Sequence, residues 1–164
     1  MSMQDYEEAK ELVKELLKKT HGISTFVGPR PEILIILAQD RLSVKFPETY
    51  RRFLLEYGAG GAGGVEFYGV VQEDFEHSSY PDVVWLTLKG RKEWGLPNFL
   101  LPVFGLGDGE FFCLDLGVQK GSEAKVVGFT PGYSSVEQDL DVIAEDFGKL
   151  FLDQIQLALK IKRA

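Results

Sequence analysis

The C-terminal part of the chain carries the feature that most restricts its fold. Leu140, Ile143, Ala144, Phe147, Leu150, Phe151, Ile155, Ala158 and Leu159 recur at steps of three and four, a spacing that predicts one long amphipathic helix. Asp139, Asp141, Glu145 and Asp146 sit toward its start and Lys160, Lys162 and Arg163 at its end, the polarity that complements a helix dipole. A stripe this broad needs an apolar surface to cover it, so the upstream segments must supply a layer for it to lie on.

They supply both helices and strands. Tyr6, Ala9, Leu12, Val13, Leu16 and Leu17 predict a helix over about Asp5 to Lys19, closed at His21-Gly22. Pro31 can open a second helix reaching about Arg41 with Ile33, Leu34, Ile36 and Leu37 inward, although Ile33 to Leu37 also reads as a strand. Pro47 opens a third, in which Tyr50, Phe53, Leu54 and Tyr57 form an inward stripe, Arg51, Arg52 and Glu56 lie opposite, and Gly58 stops the helix. The glycine cluster over residues 58–64 reads as a flexible loop that leads into a strand over Val65 to Val71. Gln72 to Pro81 is an acidic loop, and Val83 to Trp94 fits either a strand or a helix, with helix the preferred reading. Leu100 to Leu106 and Glu110 to Leu116 flank Gly107-Asp108-Gly109, the signature of a tight hairpin. A further strand spans Ala124 to Phe129. Helices, then antiparallel strands, then a closing helix make an α+β fold, and 164 residues suit a single domain spanning 1–164.

Composition narrows the function classes. The net charge of −7 and a pI near 4.9 disfavour nucleic acid as a ligand, because neutralising phosphate needs clustered Lys and Arg. The same charge attracts basic partners, or does no more than keep the protein soluble. One cysteine, Cys113, forms no internal disulfide, the first residues carry acids where a signal peptide carries bases, and no apolar run has membrane-spanning length. The expected location is the cytoplasm.

Motifs for chemistry are sparse. Gly58 to Gly63 satisfies G-x-G-x-x-G, but it follows a helix and opens a strand, the reverse of a dinucleotide site. His21, His77 and Cys113 lie in unrelated segments, which predicts no metal site, and no nucleophile elbow is present. Asp108, Glu110 and Asp115 cluster around the hairpin, where turn chemistry and a solvated sheet face account for them. The expectation is no active site and no cofactor.

Phe46-Pro47-Glu48-Thr49-Tyr50-Arg51-Arg52-Phe53-Leu54 resembles the hallmark Leu/Phe-Pro-x-x-Tyr-x-x-Phe-Leu of the SUKH superfamily. The likeness continues through Tyr57 to Gly61, Glu66 to Val70, Gly107 to Asp115 and Val142 to Phe151, in family order over about residues 30–155. The nearest likeness is to the bacterial branch of Smi/Knr-type immunity proteins. The resemblance implies an antiparallel or mixed sheet flanked by N-terminal helices and a long C-terminal helix, with no cofactor. It implies a non-catalytic immunity protein that neutralises a cognate toxin, such as a nuclease, by direct binding. The alternative it implies is a scaffold of the fungal cell-wall regulator type.

A nuclease is basic where it grips phosphate, so clustered carboxylates can occupy that surface. The expected partner contacts are Glu73, Asp74 and Glu76 in the acidic loop and Asp108 and Glu110 at the hairpin tip, with Tyr68, Phe75 and Tyr80 as aromatic anchors.

Overall fold

The computed structural model describes residues 2–132 and 140–163. The acid Asp139 lies outside them. Helix α1 (Ser2–Lys19) buries Tyr6, Ala9, Val13 and Leu16 along its apolar stripe, and the N–H of Gly22 bonds the Leu17 carbonyl where the helix turns off. Helix α2 (Glu32–Leu42) settles the open reading in favour of helix, with Pro31 just outside it at the N-cap. Its inward face is Leu34, Ile35, Ala38 and Leu42, whereas Ile33, Ile36 and Leu37 are exposed. Of the four residues expected inward only Leu34 is buried: the unbroken apolar run from Ile33 to Leu37 carries no phase, and tertiary packing chose the face. Helix α3 (Glu48–Glu56) follows its spacing, and Tyr50, Phe53 and Leu54 are fully buried.

The sheet runs in sequence order, β1-β2-β3-β4-β5-β6, antiparallel throughout. Its strands are β1 (Gly60–Ala62), β2 (Val65–Phe67), β3 (Leu100–Gly105), β4 (Phe111–Lys120), β5 (Glu123–Phe129) and β6 (Val142–Ala144). The glycine cluster, expected as a loop, builds the edge strand β1. Thr25 approaches Gly60 and Gly61 so closely that a Cβ on Gly60 would strike the Thr25 carbonyl and lie 2.9 Å from Phe26 Cα. Thr25 N–H bonds Gly61 O at 2.8 Å, and Gly61 N–H bonds Thr25 Oγ1 at 2.9 Å. Glycine is there because the backbones touch. Strand β2 ends at Phe67, earlier than the alternation to Val71 suggests. Beyond it Gly69 bridges to Asp82 instead, ahead of helix α4 (Val83–Glu93).

The C-terminal helix α5 (Phe147–Arg163) starts later than its stripe predicts. Val142 to Ala144 pairs with β5, and Asp146 interrupts the run: its Oδ1 accepts from Lys149 N–H at 2.9 Å, an N-cap that fixes the first turn. Asp141 and Glu145 consequently precede the helix, and Leu140, Ile143 and Ala144 are not part of it.

The main core joins one sheet face to the buried sides of α1, α2, α3, α4 and α5. Phe53 is its hub, with ring centroids 5.7 Å from Phe67, 5.2 Å from Phe147 and 5.4 Å from Phe151. The first and last helices pack together, with Tyr6 and Phe151 centroids 5.5 Å apart. The other sheet face carries a smaller cluster of Leu96, Leu100, Cys113, Val127 and Phe129. A polar junction ties three elements: Thr49 Oγ1 donates to Glu123 Oε1 at 2.8 Å and accepts from Gly148 N–H at 3.1 Å, while Thr49 N–H donates to Glu123 Oε2 at 3.0 Å. A carboxylate from the start of β5 thus caps α3, and a hydroxyl from α3 caps α5.

Candidate functional site

The acidic loop and the hairpin approach each other at α4. Asp82, fully buried, caps that helix by accepting from Val84 N–H at 2.9 Å and Trp85 N–H at 3.2 Å. Burial pushes its carboxyl above the usual range. The cap and the Gly69 bridge together set Tyr80 and Trp85 beside β2. Tyr80 is 49% exposed; its ring centroid lies 5.5 Å from Trp85 and 5.6 Å from Tyr68. The row continues from Tyr68 to Phe111 at 6.2 Å and from Phe111 to Trp94 at 5.1 Å.

Within this row opens a cleft of about 310 Å³ lined by Tyr68, Tyr80, Phe111, Glu110 and the glycines of the hairpin. Gly105 forms part of its floor, because a Cβ there would strike the Tyr68 hydroxyl. Burial pushes the Tyr68 hydroxyl up to about 12, helped by Tyr80 and Glu66, so it stays a neutral donor and acceptor in ordinary buffers. Asp108, exposed between the lining Gly107 and Gly109, accepts from Glu110 N–H through Oδ1 at 3.0 Å.

The residues expected at a partner surface divide into three groups. Tyr68, Tyr80, Asp108 and Glu110 are brought together here, although the Glu110 carboxylate turns over Gly128 of β5, toward Ile143 and away from its strand neighbour Phe111. Glu73 and Asp74 are exposed on the preceding loop, where Asp74 Oδ1 lies 3.0 Å from His77 Nδ1. Glu76 is held by Arg41, whose Nε and Nη2 donate to its Oε1 at 2.9 and 2.6 Å. Phe75 is buried in the main core and cannot serve as an anchor. Its apolar side chain secures the loop from beneath. Trp85, Trp94 and Phe111 were not singled out as site residues: Phe111 alternates like any strand residue, and the tryptophans lie in the segment of ambiguous period.

Other candidates lack convergent chemistry. Burial pushes the Cys113 thiol well above its ordinary range, away from nucleophilic reactivity. Among the described residues no three His, Cys, Asp or Glu side chains gather as a metal site, and no helix is long and apolar enough to cross a membrane. A larger trough of about 680 Å³ lies between the end of α1 and the β1–β2 hairpin, but glycines and short polar side chains line much of it.

The fold has solved counterparts. A crystal structure of a protein from Pseudomonas syringae pv. tomato superposes with a TM-score of 0.55 at 16% identity, covering 74% of this chain and 83% of that one. At that identity the likeness is one of architecture alone. The SMI1-KNR4 cell-wall family model, by contrast, matches residues 9–156, taking in α3, the glycine hairpin, the cleft and most of α5. Over that span the chain belongs to the SMI1-KNR4 family, within the SUKH superfamily.

Proposed function

We propose that this protein is a cytoplasmic, non-catalytic immunity protein that neutralises a cognate toxin by direct binding. The observation that carries the reading is the aromatic row around the cleft, with Tyr80 half-exposed, Trp85, Trp94 and Phe111 partly exposed and Tyr68 buried, in a chain of net charge −7. Aromatic side chains at a surface supply large contact area at low entropic cost, and acidic charge accelerates encounter with a basic protein such as a nuclease. Family membership supports a binding role in place of catalysis. The family's cell-wall description supports a second reading, a scaffold domain that binds regulatory proteins.

Co-expression separates the two. Each gene adjoining this one is expressed alone and together with it, and complexes are sought by size exclusion. A neighbour that arrests growth alone, is tolerated with this chain and co-elutes with it is the expected result. Harmless neighbours, or rescue without a complex, overturn the immunity reading, and a non-toxic cell-wall partner replaces it with the scaffold.

A further inference from the structure

We infer that the cleft receives one arginine side chain of the protein partner, its guanidinium lying among the rings of Tyr68, Tyr80 and Phe111. The inference rests on the partner-binding reading and names the chemistry recognised there. The half-exposed Tyr80, the partly exposed Phe111 and the largely buried Tyr68 line one space large enough for a side chain, about 310 Å³, and a planar guanidinium both stacks on aromatic faces and is attracted by them. The aromatic row already holds a cation at one end: Lys89 Nζ lies 5.8 Å from the Trp85 ring centroid. Inside the cleft this chain supplies none, since no Lys, Arg or His lines it. Asp108 stands between the lining Gly107 and Gly109, one oxygen accepting the Glu110 N–H and the other without a partner among the described residues, open to a charge-assisted N–H donor. Charge of the whole molecule favours the same sign of ligand.

The test uses the full ¹⁵N-labelled chain titrated with acetyl-Gly-Arg-Gly-amide and with its citrulline counterpart, which keeps shape and loses charge. Saturable shifts confined to the amides of Gly105, Gly107, Gly109 and Phe111 are expected for arginine, with a dissociation constant on the order of 10 mM for one isolated side chain. Tyr80→Ala, at a half-exposed ring, weakens binding about five-fold with the rest of the spectrum unchanged. Asp108→Asn weakens it at low salt. Equal shifts with citrulline, shifts scattered over the acidic surface, or a lysine peptide bound as tightly overturn the inference. A chain that captures a toxin yet shows no arginine-selective shift loses this inference alone; one that shows the shift but finds no toxin loses only the immunity reading.

Discussion

Replacing Thr49 by valine keeps the volume of a fully buried side chain and removes one oxygen. That oxygen serves a helix and a strand at once, accepting from Gly148 N–H of α5 and donating to Glu123 Oε1 of β5. The Gly148 N–H, buried at the first turn of α5, then loses its acceptor, at a cost of about 1–3 kcal/mol. Glu123 keeps the Thr49 N–H at 3.0 Å and is partly exposed, so its loss adds about 0.5–1 kcal/mol. The sum is about 1.5–4 kcal/mol, equivalent to a fall in Tm of about 3–16 °C for a domain of this size. Urea unfolding followed by circular dichroism gives the free energy, and a thermal scan the midpoint. Thr49→Ser is the decisive control: it retains the hydroxyl, loses a methyl group and is expected to cost less than valine, the opposite of their hydrophobic order. If valine costs under about 0.5 kcal/mol, or serine costs more, the hydroxyl is not what joins α3, β5 and α5.

Glu56 accepts from Tyr6 and Lys10, each at 2.7 Å; burial alone would raise its carboxyl, but these bonds and the Lys10 and Arg52 charges hold it below its ordinary value. Its stabilisation is therefore present above the unfolded pKa and lost as pH falls through the folded one, so Glu56→Gln should destabilise at pH 7 and converge with wild type in acid unfolding curves. Asp82→Ala should cost about 0.5–2 kcal/mol through the lost cap, whereas Asp82→Asn, which keeps the accepting oxygen without burying a charge, should cost less by chemical denaturation. Because burial raises the Asp82 carboxyl, its contribution runs opposite to that of Glu56: it favours the fold at low pH and declines as pH rises through the folded pKa. Gly60→Ala should lose more than about 2 kcal/mol by urea titration, because backbone, not a movable side chain, occupies the Cβ position.

Where neighbours in sequence are also neighbours in space, reading the chain was enough. The stripe of α3 and the Gly107–Gly109 hairpin follow from spacing and turn chemistry alone. The misreadings share one cause, a partner remote in sequence. The glycines of β1 are explained by Thr25 and Phe26, and the exposed face of α2 by what covers its other side. The start of α5 was set too early, because Ile143 and Ala144 fit the helical repeat as well as the edge strand they form. The cleft was half visible: Asp108 and Glu110 were named for their charge at the hairpin tip, and Tyr68 and Tyr80 as aromatic anchors. That Phe75 turns inward and Phe111 stacks on Trp94 is set by contacts remote in sequence, which no local pattern announces.

The pairing of α1 with α5 has a bearing on how the protein is made. The six strands pair in the order in which they leave the ribosome, so each can add to its predecessor as synthesis proceeds. The apolar stripe of Tyr6, Ala9, Val13 and Leu16 cannot: Phe151, which meets Tyr6, is translated long after the first helix has emerged. Until then that part of the stripe lacks the cover that α5 gives it. A ribosome stalled before residue 147 would therefore hold the six strands with the α5-facing side of α1 still uncovered.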